Sequence, residues 1–133
     1  MTSTYSIPEA RPLSVQERHL LEELLRRGTP QSGAYASQLP LVTVASRCSC
    51  GCPTLDLAVA GRSASLGSPS TILAGAAGVS PEGVRFEILL HGREGMVSEL
   101  EVYASDGEDG PFTLPVVECI EFFGEPRTET REL

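Results

Sequence analysis

Three cysteines stand at alternate positions in one short stretch, Cys48, Cys50 and Cys52, and Pro53 follows the last of them. Thiolates are soft ligands, so this cluster points first to a soft metal ion such as zinc and then to thiol redox chemistry. Zinc–thiolate bonds of about 2.3 Å hold ligand sulfurs roughly 3.8 Å apart, whereas alternate residues of a flat strand are about 6.6 Å apart. Gly51 must therefore fold the chain back if the three sulfurs are to share an ion. Cys119 is the candidate fourth ligand, with His91 behind it. The Cys-x-Cys spacing is shorter than the spacing usual within zinc ligand pairs. The competing reading is that these small apolar thiols line the inward face of a strand, because free cysteine is among the most buried residue types. Redox chemistry fits less well. Disulfide-exchange motifs are C-x-x-C at a helix N-terminus, where the dipole lowers the thiol pKa, and here the spacing is shorter and the context is strand. A Cys–His nucleophile pair would need His91, which flanks a hairpin loop and is expected at the surface; His19 falls opposite an apolar helix stripe and is expected in solvent.

The second cluster is acidic. Glu87, Glu99 and Glu101 share the outward parity of two strands that form a hairpin. In the expected register Glu87 stands opposite Glu101, and like charges placed so are destabilising unless a cation or a basic partner covers them. General acid–base work would require one of these carboxyls to be buried, and no residue nearby buries it. Solvent exposure beside Arg85 is the plainer alternative. The stretch Asp106 to Gly110 has the acids of a calcium loop without its spacing and reads as a turn.

Composition removes several classes of function. All ten basic residues are Arg; the chain has no Lys and no Asn. A phosphate-binding loop ending in Lys, a Schiff-base enzyme and a kinase strand lysine are thereby excluded. No Gly-x-Gly occurs, which removes the nicotinamide fingerprint. The net charge is −8, unevenly spread: residues 1–66 hold six Arg against five acids, residues 67–133 four Arg against thirteen acids. An acidic half repels phosphate backbones, so no nucleic-acid partner is expected. The N-terminal residues lack the apolar run of a signal peptide and no stretch is long and apolar enough to span a membrane, so a cytoplasmic protein without disulfides is expected.

The elements that must position these residues are legible in part. Ser14 and Glu17 make a capping box, Leu20, Leu21, Leu24 and Leu25 fall on one stripe, and Gly28 stops the helix. Strands are expected from Leu41 to Cys50, over Leu55 to Val59, from Val84 to His91, from Met96 to Tyr103 and from Val116 to Phe123. Within the small-residue stretch 61–83 only a short strand near Thr71 to Ala74 is expected. Arg93-Glu94-Gly95 reads as a three-residue hairpin loop, pairing Gly92 with Met96, Ile88 with Leu100 and Phe86 with Val102. The expected fold is α+β: one N-terminal helix packed on a mainly antiparallel sheet of about five or six strands. Residues 1–12 read as an extended arm, 13–123 as a single domain and 124–133 as a flexible tail.

Arg47 to Thr54, with its Cys-x-Cys-Gly-Cys-Pro turn, and Ser98 to Tyr103, with its L-E-x-Y strand, resemble a set of small uncharacterised bacterial proteins. The resemblance spans Leu41 to Gly107 and implies no established activity. The helix-then-sheet layout is also similar to that of small, often acidic, immunity proteins of bacterial toxin systems, a likeness of architecture rather than of site. The residues favour a non-enzymatic binding domain whose Glu87, Glu99 and Glu101 face engages a basic protein partner, with no cofactor. The alternatives are a zinc domain using Cys48, Cys50, Cys52 and Cys119, and a thiol redox protein.

Overall fold

Helix α1 (Val15–Arg27) begins where the sequence places it. Ser14 Oγ accepts the Glu17 N–H at 3.1 Å, and Glu17 Oε1 accepts the Ser14 N–H at 2.8 Å. Arg11 closes over the same carboxylate with two bonds of 2.9 Å. Leu20, Leu21, Leu24 and Leu25 are all buried, as their spacing requires. The computed structural model describes residues 6–65, 67–108 and 110–123; the expected tail, 124–133, lies outside the described residues.

The fold is α+β, and among the described residues its sheet has seven strands rather than five or six: β1 (Ser6–Pro12), β2 (Val42–Cys48), β3 (Leu55–Val59), β4 (Thr71–Val79), β5 (Arg85–Arg93), β6 (Met96–Ala104) and β7 (Glu121–Phe123). They lie in the order β1-β2-β3-β6-β5-β4-β7, every neighbour antiparallel. One strand escaped sequence reasoning and another was expected too short, each for a physical reason. The stretch read as an arm pairs along β2 as an edge strand, a place where proline is tolerated. β4 is built of small residues on both faces and shows no alternation, yet it runs nine residues. At the other end, the expected strand from Val116 is a 3-10 turn (Val117–Cys119) followed by the three residues of β7.

Small residues on β4 allow close approach. Phe86 lies where a side chain at Gly78 would sit: a Cβ there would be 2.8 Å from the Phe86 ring. Gly28 has φ −84°, so it ends the helix in extended rather than left-handed backbone. What requires glycine is contact with β4, because a Cβ at Gly28 would lie 2.3 Å from the Leu73 carbonyl oxygen. That oxygen accepts the Thr29 N–H at 2.9 Å. An ordinary Gly→Ala exchange at compatible backbone stabilises by up to about 1 kcal/mol through the unfolded state. Here the sign should reverse, and Gly28→Ala is expected to lose roughly 1–3 kcal/mol in urea denaturation.

A single helix is about 10 Å wide and spans only two or three strands at about 4.8 Å each. Accordingly α1 packs on β4, β7 and the 3-10 turn before β7, while a second 3-10 segment (Ser32–Leu41) lies against α1, β3 and β6. Leu57, Leu73, Ile88, Leu90 and Leu100 meet them in one continuous core.

The β5–β6 hairpin corrects the expected register. Its loop is the two residues Glu94 and Gly95, both at positive φ (54° and 76°), the pattern of a type I′ turn. Arg93 pairs with Met96 and Gly92 with Val97. A shift of one residue would turn every apolar side chain outward. A bulge at Ser98 supplies the compensating residue, so that His91 faces Glu99, Ile88 faces Val102 and Phe86 faces Ala104. The apolar faces are those expected, but Glu87 stands opposite Tyr103, not opposite Glu101.

Candidate metal centre

Between β2 and β3 the chain turns back through Ser49, Cys50 and Gly51, closed by the Gly51 N–H donating to the Cys48 carbonyl at 3.2 Å. Gly51 is required twice over. Its φ is +90°, and a Cβ there would come within 3.0 Å of Pro111. The fold-back expected from the spacing is thus present, and the Cys48, Cys50 and Cys52 sulfurs all lie within 4.8 Å of one another, in a group that could hold a metal ion. Cys48 Sγ is 3.4 Å from Cys50 Sγ, and the Cys52 N–H donates to Cys50 Sγ at 3.4 Å. All three residues are half-buried, and all are free thiols.

The three sulfurs are electrostatically unequal. Burial pushes the Cys48 thiol up to about 11, and the neighbouring sulfurs add to it. Burial would raise the Cys50 thiol too, but the N–H groups of Cys52 and Gly110 and the thiols of Cys48 and Cys52 donate to its sulfur and bring it below its ordinary value. Arg47 does not help: its guanidinium turns to Glu9 at 2.7 Å.

The segment carrying Gly110 and Pro111 over this turn is held at a distance by Glu82. Its carboxylate accepts the Thr113 N–H at 3.1 Å and the Thr113 hydroxyl at 2.8 Å, and these bonds hold it down at about 2. A depressed carboxyl stabilises what it binds above its unfolded pKa and ceases to as pH falls through the folded value. The Thr113 amide resonance should therefore titrate near pH 2 with the Glu82 carboxyl, and Glu82→Gln should remove that titration.

Cys119 does not complete the site, contrary to the sequence expectation. It is exposed beside β7, beyond β4. Four strand spacings separate β2 from β4, about 19 Å. His91 lies three strands away on β5, about 14 Å, and is no ligand either. Nor is it the surface residue expected: it is only 9% exposed, with Nε2 2.8 Å from Glu101 Oε1 and Nδ1 3.3 Å from Ser70 Oγ. His19 is exposed, as expected.

Glu87, Glu99 and Glu101 share the outer face of the sheet, as their parity indicated, but each already has a donor. Tyr103 donates its hydroxyl to Glu87 at 3.0 Å, Arg93 reaches Glu99 at 3.3 Å and His91 meets Glu101. The residue missed is Asp56, which β3–β6 pairing sets directly opposite Glu99. It accepts from Ser46 at 2.5 Å and from Ser6 at 3.2 Å. Only the non-local strand order could have revealed it. No helix among the described residues is long and apolar enough to cross a membrane. Comparison of the chain with protein-family models, with curated proteins and with solved structures finds no match in any of the three.

Proposed function

We propose that this chain is a thiolate metal-binding domain that holds one soft ion, of the class that includes zinc and copper(I), through Cys48, Cys50 and Cys52. The observation that carries the reading is the mutual distance of the sulfurs. Sulfurs within 4.8 Å of one another share a centre no more than about 2.8 Å from each, close to a zinc–thiolate bond of about 2.3 Å. A strand lined by inert thiols would have left them about 6.6 Å apart. The N–H donors at Cys50 favour a thiolate, the form that binds metal. The test is elemental analysis of chain purified under reductant and then dialysed against zinc. One equivalent bound, with Cys48, Cys50 and Cys52 protected from alkylation, is the expected result; failure to retain either zinc or anaerobically supplied copper(I), with full alkylation, would remove the reading.

A second reading keeps the acidic face. Asp56 and Glu99 are set directly opposite each other, with Glu87 and Glu101 on the same face, away from α1. We propose a basic protein partner for this row, toxin neutralisation being one such role. It ranks second because every carboxylate in the row already has an internal donor. Binding to a polyarginine probe that weakens with salt and with joint Glu87→Ala and Glu101→Ala replacement would support it; salt-insensitive binding would not.

A further inference from the structure

Among the described residues the thiolate site offers three ligands, one fewer than a structural zinc site uses. Among the described residues no fourth His, Cys or carboxylate joins Cys48, Cys50 and Cys52 within their mutual reach. Cys119 is across the sheet, and the His91 ring is engaged by Glu101 and Ser70. Structural zinc sites are almost always four-coordinate and tetrahedral. Copper(I) is softer, is selected by thiolates, and is satisfied by three sulfurs in a plane. We infer that the ion is copper(I), bound by three thiolates at the β2–β3 turn. This inference rests on the metal-binding reading above and narrows it.

Two features of the turn bear on such an ion. Cys48 and Cys50 stand 3.4 Å apart, so the turn must open by about 0.6 Å to reach the roughly 4.0 Å edge of three thiolates in a plane about an ion at about 2.3 Å, and no fourth corner has to be accommodated. The Gly110-Pro111 segment covers one side of the turn: Gly110 donates its N–H to Cys50, and Pro111 packs on Gly51. These two residues add backbone and no charged ligand to the three sulfurs. Binding is a simple exchange: each thiol gives its proton to solvent as its sulfur bonds the ion, and no electron is transferred.

The test uses the reduced full chain under anaerobic conditions. One sample is titrated with copper(I) in competition with a chromophoric copper(I) chelator, another with zinc against a chromophoric zinc indicator, and X-ray absorption counts the ligands of each. The expected result is one copper(I) per chain with three sulfur ligands, held on the order of 100-fold more tightly than zinc, whose shell contains an oxygen or nitrogen. Cys52→Ser should leave a two-sulfur copper site, with circular dichroism reporting whether the fold is kept. Should that variant fail to fold, the ligand count on the native chain decides alone. Zinc held by four protein ligands and preferred to copper(I) would overturn this inference and leave the metal-binding reading standing. Retention of neither ion would overturn both.

Discussion

Replacing Cys50 with serine is expected to weaken metal binding on the order of 100-fold or more, while the same replacement at Cys119 changes nothing. Structural zinc in small thiolate and imidazole sites contributes about 10–16 kcal/mol, or roughly 3 kcal/mol per ligand, and each 1.4 kcal/mol is tenfold in affinity. Cys50 should be the most sensitive of the three, because it is the sulfur that accepts the N–H of Cys52 and Gly110. Serine keeps the size and loses the soft anion. Cys119 serves as the internal control, being exposed and at the far side of the sheet. The same site carries a pH signature. With its thiol pushed up to about 11, Cys48 is protonated at neutral pH, so the ion must expel at least that proton. Apparent affinity should therefore fall at least about tenfold for each unit of pH lowered below neutrality. A chelator-competition titration at two pH values reads both effects; equal affinity in Cys50→Ser and native chain would end the assignment.

How much of this was legible beforehand follows the range of the interactions. The capping box, the Leu stripe and the need for Gly51 to turn the chain all depend on residues a few positions apart, and each is where the sequence placed it. The faces of β5 and β6 were legible for the same reason, since parity is local. The hairpin register was not, because a two-residue loop and a bulge at Ser98 cancel in parity and leave no trace in the apolar pattern. Only the start of β4 was legible, because the rest takes its character from what packs on it. Gly78 is small to admit Phe86 across the β4–β5 hairpin, and Gly28 to admit the Leu73 backbone, a neighbour far away in sequence. The burial of His91 depends likewise on Ser70, just before β4, and on Glu101 of β6. In the candidate site, the three clustered cysteines were legible and the exclusion of Cys119 was not, because strand order, a long-range property, decides it.

Leu24→Ala should be among the most destabilising single replacements, at about 3–4 kcal/mol. Leu24 is 0% exposed and lies mid-helix. Alanine is the better helix former, so helix propensity gives no loss and offsets a little of it. What remains is the transfer of a buried isobutyl group and the cavity it leaves. Collapse into that cavity is hindered on both sides. Along the helix, Leu20, Leu21 and Leu25 are themselves buried and fixed by the capping box at one end and the Gly28–Leu73 contact at the other. On the sheet side α1 packs on β4, whose buried Ala74 and Ala76 are side chains too short to swing into the space. Val15 supplies the comparison, lying on the same helix at 88% exposure, and Val15→Ala should change stability by less than about 0.5 kcal/mol. Domains of this size have about 5–15 kcal/mol in hand, so the Leu24 variant should remain folded in water with a visibly lower urea midpoint and an unchanged slope. A loss under about 1 kcal/mol at Leu24 would mean that the helix is not seated on β4, and with it would go the contact that makes Gly28 obligatory.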